Sequence, residues 1–577
     1  MSAPTEIDAL SWRFPVGADG LLREFAEAGV IETADVQVAR RLCELGGEPD
    51  ERVALAVALV VRALRGGSVC VDLSAVAGQI GRPELPWPSP SAWLDAVAAS
   101  PLVTASALRV DGRLVYLDRY WREEQQVCED VLTLVTARPP GTAPASERLF
   151  PAGYEEQRAA ADVALSQGLT VLTGGPGTGK TTTVARLLAL IAEQAAAAGR
   201  PPLRIALSAP TGKAAARLQE AVQLEVDRLD LVDRRRLSGL QATTLHRLLG
   251  PRPDSSSRFR HHRANRLPHD VIVVDETSMV SLTMMARLLE AVRPDARVLL
   301  VGDPDQLASV EAGAVLADLV DGLSARSDTR VAALLTSHRF GESIGALAAA
   351  IRAGDADAVV EVLRAGGEHI EWVDTEEPAE ALRAVVEPHA LRLRQAAVLG
   401  DRDRALAALD EHRLLCAHRR GPYGVTYWNR QTERWLSEAT GEPIWSAWYV
   451  GRPVLVTAND YGLRLYNGDT GVTVAGDDGL RAVIAGAAGR VEFATSRLSE
   501  VDTMHAMTIH KSQGSQADEV TVLLPPEDSR LLSRELFYTA VTRAKSRVRI
   551  VGPEASLRQA VRHRVVRASG LARRLSA

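Results

Sequence analysis

A glycine-rich loop between a short apolar strand and a helix is the feature that most constrains this chain. The loop reads GGPGTGKTT, follows the apolar run Leu169–Leu172 and leads into VARLLALIAEQ. Its spacing of glycine, four residues, glycine, lysine and threonine is that of a P-loop. Backbone N–H groups there surround phosphate oxygens, Lys180 reaches the β- and γ-phosphates, and the Thr181 hydroxyl binds Mg²⁺. The predicted nucleotide contacts are Gly174, Gly175, Pro176, Gly177, Thr178, Gly179, Lys180, Thr181 and Thr182.

Beyond residue 150, short apolar strands alternate with helices, which is the pattern of a parallel α/β sheet. The strands fall into two groups with their own motifs, so we predict two nucleotide-binding-type α/β domains. The first group is Leu169–Leu172, Arg204–Ser208, Val271–Val274 and Val298–Val301, and the second is Leu414–Ala417, Val520–Leu524 and Val548–Val551.

The N-terminal part has a different pattern, with apolar residues at helical spacing in LLREFAEAGV and RVALAVALVVRALRGG. A Pro/Ser-rich stretch, Arg82–Ser91, interrupts it, and Ala137–Ser146 has the composition of a linker. The first 150 residues hold 21 acidic and 14 basic side chains. This balance favours a solvated or protein-binding surface over a DNA-binding one. We predict a mainly helical domain at residues 1–125 and α/β domains at 126–335 and 336–577.

Two further motifs follow strands of the first α/β domain. The strand VIVV ends in Asp275 and Glu276, where we assign Asp275 to Mg²⁺ and Glu276 to the attacking water as general base. Gln306 in GDPDQL follows the next strand and would sense the γ-phosphate or orient water. Alone, each motif is more typical of an ordinary solvated loop. Together with the P-loop they favour hydrolysis of a nucleoside triphosphate.

These motifs, with HKSQG (His510–Gly514) and YTAVTRAK (Tyr538–Lys545) after them, resemble the superfamily-1 DNA helicases. The longer strings APTGKAAARL (Ala209–Leu218), TTLHRLLG (Thr243–Gly250), AMTIHKSQGS and LFYTAVTRAK are similar to the RecD family, the α subunits of bacterial RecBCD (exodeoxyribonuclease V). The resemblance covers nearly all of residues 150–555 and, more loosely, the N-terminal part. It implies two RecA-like domains, 1A and 2A, with ATP bound between them.

The resemblance also implies roles for single polar residues. Gln157 would read adenine, and Gly514 would lie beside the nucleotide. Arg339 and Arg543 would reach the γ-phosphate from the second domain, where a guanidinium stabilises charge on the transferring phosphoryl group. Gln516 stands where the family usually carries Glu, and this would weaken a carboxylate contact to the ribose.

The chain contains only four lysines, and each lies in one of these motifs, whereas the other 63 of its 67 basic residues are arginines. Lysines, short hydroxyls and backbone N–H groups suit the phosphates of a single strand. The predicted DNA contacts are Thr211, Lys213, Thr244, His246, Thr508, His510, Lys511 and Ser512. Phe259, Trp428 and Tyr461 are candidates for base stacking, with core packing as the alternative. Lys545 has no derived role beyond capping a helix.

Two segments are predicted to be small β insertions. Residues 251–270 are rich in Arg and His and would form a hairpin that splits the duplex, with Arg258–Arg266 at its tip, or else a surface loop. Residues 442–503 alternate like strands around NDYG and NGDTG turns and resemble the SH3-like insertion of RecD-type helicases.

Cellular location and cysteine chemistry are only weakly constrained. The N-terminus lacks a basic segment followed by an apolar one, and runs such as Val53–Val61 are shorter than the roughly 20 residues of a membrane helix, so we expect a cytoplasmic protein. The four cysteines, which we expect to be buried thiols, are Cys43, Cys70, Cys128 and Cys416.

The resemblance implies an ATP- and Mg²⁺-dependent helicase that moves 5′→3′ on single-stranded DNA and acts at duplex ends. It would join RecB-like and RecC-like subunits in a heterotrimer that processes double-strand breaks for recombinational repair, with the nuclease in a partner. One alternative is a free-standing RecD-like helicase, against which the short acidic N-terminal part argues. Another is a P-loop regulatory or structural ATPase that binds DNA without unwinding it, against which HKSQG and the arginine motifs argue.

Overall fold

The computed structural model describes residues 17–137, 146–252, 255–329, 331–336, 342–460, 462–476, 479–486 and 489–577. None of the helices within these ranges is both long and apolar enough to cross a membrane. Cys43, Cys70, Cys128 and Cys416 are free and buried, which confirms the prediction of buried thiols.

The N-terminal domain is mainly helical around a small antiparallel sheet of order β1-β3-β2. Asp50 begins its central helix by accepting a hydrogen bond from the Arg52 N–H at 2.8 Å, and the helix then buries an apolar run that includes Val53 and Leu59. The elements are α1 (Gly20–Glu27), α2 (Thr33–Gly46), α3 (Glu51–Arg65), β1 (Val71–Asp72), α4 (Val76–Ile80), α5 (Pro90–Ala99), α6 (Pro101–Thr104), β2 (Leu108–Asp111), β3 (Leu114–Leu117) and α7 (Asp118–Thr136).

The first α/β domain is built on a six-stranded parallel sheet of order β11-β4-β10-β9-β5-β6. Its elements are α8 (Glu155–Ser166), β4 (Leu169–Gly174), α9 (Lys180–Ala197), β5 (Ile205–Ala209), α10 (Gly212–Asp227), α11 (Leu231–Arg236), β6 (Ala242–Thr244), α12 (Leu245–Leu249), β7 (Pro251–Arg252), β8 (Ser255–Phe259), β9 (Val271–Val274), α13 (Leu282–Ala291), β10 (Arg297–Gly302), α14 (Val315–Ser324) and β11 (Ala332–Leu334). The P-loop strand β4 and the carboxylate strand β9 flank β10, so the three predicted motifs meet at one sheet edge.

The second α/β domain contains a five-stranded parallel sheet of order β12-β21-β20-β13-β19. Its elements begin with α15 (Glu342–Ala353), α16 (Ala356–Ala365), β12 (Ile370–Val373), α17 (Ala379–Val398), α18 (Arg402–Glu411), β13 (His412–Cys416) and α19 (Val425–Thr440). The inserted strands are β14 (Pro453–Val456), β15 (Thr470–Gly476), β16 (Gly479–Gly486), β17 (Gly489–Ala494) and β18 (Val501–Thr503). The chain ends with β19 (Ala506–Thr508), β20 (Ala517–Leu523), α20 (Arg534–Val541), β21 (Ala544–Val551), α21 (Glu554–Arg562) and α22 (Leu571–Ser576).

The two inserted segments differ in how they match the predictions. Strands β14 to β18 form an antiparallel sheet of order β17-β16-β15-β14-β18, and its SH3-like character stays a prediction. Strands β7 and β8 form a two-stranded antiparallel hairpin in which Pro251 lies opposite Phe259. Arg258 is therefore part of a strand and Arg260–Arg266 follow it, so placing the hairpin tip at Arg258–Arg266 was wrong. The strands connect through residues 253 and 254, which lie outside the described residues.

Residues 563–577, which we call the C-terminal strap, leave the second α/β domain and pack on the other two. Helix α22 lies against α14 and α7, and its Leu571 and Leu575 are buried in the same core as Leu319. The Val69 N–H of the N-terminal domain donates to the Ala568 carbonyl at 2.9 Å. The exact domain boundaries stay a prediction, but these contacts join all three parts of the chain.

Candidate active site

The P-loop holds its lysine at the mouth of the loop. Gly177 and Gly179 have φ angles of +80° and +86°, a left-handed backbone that glycine adopts without steric cost. The Lys180 ammonium donates to the carbonyls of Gly174 at 2.6 Å and Gly175 at 2.9 Å. The ammonium is thus placed where phosphates would enter the loop.

A cavity of about 780 Å³, which we call the nucleotide cavity, opens between the two α/β domains in front of this loop. Its volume falls in the range typical of small-ligand and cofactor sites. The predicted site residues that line it are Gln157, Pro176, Gly177, Gly179, Lys180, Thr181, Thr182, Asp275, Glu276, Gln306 and Arg543. Arg217, Asp303 and Gln516 also line it.

Five predicted residues are not found in this lining. Gly174, Gly175 and Thr178 belong to the loop itself, where the Thr178 hydroxyl donates to the Gly175 carbonyl at 2.9 Å. Gly514 is buried against α10, and a Cβ added to it would lie 3.4 Å from the Cβ of Ala214. Arg339 lies outside the described residues.

Gln157 is buried behind the P-loop. Its side-chain amide donates to the Thr178 carbonyl at 3.3 Å, and its Nε2 lies 3.2 Å from where a Cβ on Gly179 would be. Gln157 therefore contacts the P-loop and also lines the cavity, a position that is compatible with the predicted contact with a base.

The two carboxylates at the end of β9 point toward the same cavity. The Glu276 N–H donates to Asp275 Oδ1 at 2.8 Å, and Glu276 has a φ of +50°, a strained conformation for a residue with a Cβ. Burial, with the nearby Glu276 charge, raises the pKa of Asp275 to about 6. Asp275 and Thr181 line the same cavity, and their carboxylate and hydroxyl oxygens are of the kind that Mg²⁺ prefers.

A side-chain network connects the end of β10 to the second domain. The Gln306 amide donates to Asp303 Oδ2 at 3.1 Å, and the Tyr538 hydroxyl donates to the same oxygen at 3.1 Å. The Arg543 guanidinium donates to Gln306 Oε1 at 3.0 Å. Burial lowers the pKa of Arg543, and the Glu276 carboxylate opposes this effect. Gln306 and Arg543, which are 237 residues apart in sequence, form one hydrogen-bonded unit.

Two more bonds reinforce this connection. The Leu307 N–H donates to the Thr539 hydroxyl at 2.9 Å, and the Gln513 amide donates to the Leu307 carbonyl at 2.8 Å. Sequence reasoning missed four residues of the connection, although each lies inside a quoted motif; they are Asp303, Gln513, Tyr538 and Thr539.

The predicted DNA contacts are distributed over the ends of β5, β6 and β19. Thr211 and Thr244 cap α10 and α12, where their hydroxyls accept from the N–H groups of Ala214 and Arg247 at 3.2 Å. The Thr508 hydroxyl accepts from the Lys511 N–H at 3.2 Å. Burial lowers the pKa of both His246 and His510. Ser512 is turned inward instead, and its hydroxyl donates to the Ile509 carbonyl at 2.7 Å.

The turn between β14 and β15 binds one of the predicted DNA lysines and lies beside the other. Asn467 accepts a hydrogen bond from the Lys511 ammonium at 2.7 Å. Gly468 lies 4.0 Å from the Lys213 side chain, measured from a Cβ built on the glycine. Burial and the Arg413 charge lower the pKa of Lys213 to about 8, and Asp410 and Asp469 oppose this effect.

Three of the remaining sequence candidates have structural roles. Phe259 and Trp428 are buried, so the core-packing alternative holds for both, and Tyr461 lies outside the described residues. Lys545 lies in strand β21 and pairs with Asp518 at 2.9 Å, so it does not cap a helix.

Comparisons with known proteins agree with this geometry. Residues 153–375 match the AAA domain family, 503–551 the UvrD-like helicase C-terminal domain, and 27–116 the N-terminal domain of the RecBCD enzyme subunit RecD. The fold and the site define a nucleotide-binding P-loop enzyme of the DNA helicase class, and the chain is an ATP-dependent DNA helicase.

The particular family follows from a full-length relative. The chain is 76% identical over 556 residues to the RecBCD enzyme subunit RecD of Mycolicibacterium smegmatis, covering 96% of this chain and 99% of that one. The chain belongs to the RecD family. It is 31% identical to the ATP-dependent RecD2 DNA helicase of Deinococcus radiodurans, covering 61% of that protein. Bacteroides Pif1 bound to single-stranded DNA aligns over 69% of this chain and 91% of its own, at 18% identity and a TM-score of 0.39.

Proposed function

We propose that this chain is the 5′→3′ motor subunit of a RecBCD-type helicase–nuclease complex that processes DNA double-strand breaks. The observation that carries the proposal is the hydrogen bond between Gln306 and Arg543 across the nucleotide cavity. It joins the domain that holds the triphosphate to the domain that holds Lys511. A change at the γ-phosphate can therefore alter the relative position of two predicted DNA-binding surfaces.

Each residue that lines the cavity has its own proposed role in ATP hydrolysis. Lys180 and the P-loop N–H groups bind the phosphates, and Glu276 accepts a proton from the attacking water. Arg543 stabilises charge on the transferring phosphoryl group, and Gln306 orients the water or senses the phosphate. Thr181 and Asp275 would hold Mg²⁺, which neutralises phosphate charge when bound. Arg339 is proposed as a second arginine at the phosphate on the resemblance alone.

Movement along DNA is proposed to follow from closing and opening the cavity. Lys213 lies on the first α/β domain and Lys511 on the second, so closure changes the spacing of two contacts to the strand backbone. Backbone contacts fix position without reading sequence, as a translocating motor requires. The 5′→3′ direction is proposed from the family.

The proposed partners are RecB-like and RecC-like subunits, because the relatives from Mycolicibacterium smegmatis and Mycobacterium tuberculosis are named as subunits of the RecBCD enzyme. The match to the full length of a RecBCD subunit, against 61% of the RecD2 helicase, favours this assembly over a free-standing helicase. Coexpression with the two candidate partners should give a stable complex on size exclusion. A chain that elutes alone would support the free-standing alternative.

Strand displacement on fluorescent duplexes with 5′ or 3′ tails tests the motor directly. We expect unwinding of 5′-tailed substrates only, and loss of at least about 100-fold of the ATPase in Lys180→Ala. Lys545→Ala is the matched control, because that lysine pairs with Asp518 away from the cavity and should unwind normally. Unwinding from 3′ tails only would overturn the direction, and normal unwinding by Lys180→Ala would overturn the site.

A further inference from the structure

A second cavity, of about 360 Å³, lies between the N-terminal domain, the second α/β domain and the C-terminal strap. Helix α3 supplies Arg62 and Arg65, the loop after β20 supplies Arg530, and the C-terminal strap supplies Val566 and Ala568. We call it the arginine cavity. It shares no lining residue with the nucleotide cavity.

Several charges in and around this cavity are already paired. Arg65 binds Asp35 at 2.8 Å and Glu32 at 2.9 Å. The lining residue Asp72 binds Arg113 at 2.9 Å. The acidic groups that face the cavity are therefore each engaged by a guanidinium.

Arg62 and Arg530 differ from these residues. Within the described parts of the chain, neither has a carboxylate within ion-pair distance, although both line the same cavity. Burial lowers the pKa of Arg62 and the Arg530 charge lowers it further, while Asp35 and Glu32 act in the opposite direction. Two like charges held together in a partly enclosed space create a site that an anion would stabilise.

The strap places this cavity beside the predicted DNA-binding surface. Arg567 lies between the lining residues Val566 and Ala568, and its guanidinium donates to the Ser309 carbonyl at 2.6 Å. Two residues before Ser309, the Leu307 carbonyl accepts a hydrogen bond from the Gln513 amide of the HKSQG motif at 2.8 Å. The strap and the HKSQG motif therefore contact the same short segment, which brings the arginine cavity close to the surface that carries His510.

We propose that Arg62 and Arg530 bind backbone phosphates of the single strand beyond His510 and extend the DNA track onto the N-terminal domain. Guanidinium groups bind phosphate through two parallel hydrogen bonds, which a lysine cannot provide. The contacts would be independent of sequence. The proposal rests on the proposed function, because it needs a strand on the surface that carries His510. That adjacency favours a nucleic acid over an acidic segment of a partner protein.

Equilibrium binding of single-stranded oligonucleotides of about 8 and about 20 nucleotides tests the proposal, since binding folds occupy sites of this scale. The full chain carrying Arg62→Ala and Arg530→Ala should bind the short strand like the unmodified protein. For the long strand we expect roughly 25-fold weaker binding at about 0.1 M salt and a log–log salt slope smaller by about 1.4, the value for two lost phosphate contacts. An abasic long strand should show the same loss.

Three controls make the outcome decisive. Arg23→Ala with Arg41→Ala removes two exposed arginines of the same domain that already pair with Glu27 and Glu44, and should change neither slope nor affinity. Arg62→Lys with Arg530→Lys should restore most of the slope, which excludes misfolding. Millimolar inorganic phosphate should weaken binding of the long strand only through its ionic strength. Stronger competition would indicate a site that is specific for the free anion.

The contrary results are distinct. If the long strand binds the alanine variant with unchanged affinity and slope, the proposal is wrong, and weaker assembly with partner subunits would then assign the cavity to a protein. If competition by phosphate alone accounts for the whole difference, the site is one for a free anion and the proposal is also wrong. If the unmodified chain binds neither oligonucleotide, the proposed function itself fails.

Discussion

At the scale of single residues, Arg543 combines two tasks that are usually separate. It is buried in the second α/β domain, yet its guanidinium hydrogen-bonds Gln306 of the first and lines the nucleotide cavity. A buried guanidinium without its partner is unfavourable, so the residue favours the closed arrangement of the two domains.

Replacing this residue should slow hydrolysis far more than it weakens ATP binding. For Arg543→Ala we expect kcat of the DNA-stimulated ATPase to fall about 1000-fold, because an arginine at the transferring phosphoryl group contributes on this scale. KM for ATP should change by less than about tenfold, since Lys180 and the P-loop remain. Arg547→Ala is the matched control, because Arg547 lies four residues further on, in strand β21, and pairs with Glu371. Equal losses in both variants would point to general destabilisation.

Lys213 should make DNA affinity depend on pH. Its pKa of about 8 lies below that of an ordinary lysine because the side chain is buried, and only the protonated form binds phosphate well. Affinity should therefore be nearly constant below about pH 7, begin to fall near pH 8, and above that fall by up to about tenfold for each pH unit. Anisotropy titrations between pH 7 and 9 would measure this. Lys213→Arg keeps its charge and should give a flat profile, and a flat profile in the unmodified protein would contradict the assignment.

The predicted site residues that the structure brings together are those whose motifs are local in sequence. Lys180, Asp275, Glu276 and Gln306 follow strand ends at fixed spacing, and parallel strands bring their ends to one edge. Ser512 lies in an equally clear motif but donates its hydroxyl inward. Whether a hydroxyl faces solvent depends on packing partners far away in sequence, which spacing does not encode.

At the scale of elements, the turn Tyr466–Asp469 connects the inserted sheet to both α/β domains. Asn467 binds Lys511 of the second domain, and a Cβ on Gly212 of the first would lie 2.7 Å from the Cβ of Tyr466. The strands of this insertion were predicted from alternation and its NGD turn. The sequence did not predict that this turn would lie beside two lysines of distant motifs, because that position depends on how the domains assemble.

The Asn467 amide holds Lys511 where a phosphate would otherwise bind it. Asn467→Ala should therefore tighten single-strand binding, by up to about fivefold, since a hydrogen bond at this exposed position contributes about 1 kcal/mol net. Asn467→Asp should weaken binding by about tenfold, because the carboxylate pairs with the ammonium more strongly. Anisotropy at constant salt would measure both. If the alanine variant binds more weakly, Asn467 is itself a DNA contact and does not compete with the strand.

At the scale of the whole molecule, the C-terminal strap packs the end of the chain against the N-terminal domain. Ala568 of the strap donates its N–H to the Ser68 hydroxyl, across a sequence separation of 500 residues. The Ser569 hydroxyl donates to Glu124 Oε1 at 2.8 Å, and Arg574 binds Asp111 at 2.6 Å. The parallel sheets could be predicted from the alternation of strands and helices along the chain. The packing of the strap could not be predicted, because a short amphipathic segment does not specify which distant surface it covers.

The strap connects the second α/β domain to the other two, so we expect that loosening it lets the domains separate further and weakens ATP binding. Leu571→Ala should cost about 2–5 kcal/mol of docking energy, because the side chain is fully buried against α14 and α7. When the strap is loose, the two α/β domains adopt more relative positions, so closing the cavity around ATP costs more entropy. We therefore expect KM for ATP to rise several-fold with kcat nearly unchanged, and trypsin to cut earlier at Arg573 and Arg574. Leu399→Ala, at a leucine that is 66% exposed, is the control for leucine truncation. If trypsin releases the strap of the Leu571 variant while KM for ATP stays constant, the strap stabilises the fold without setting the width of the nucleotide cavity.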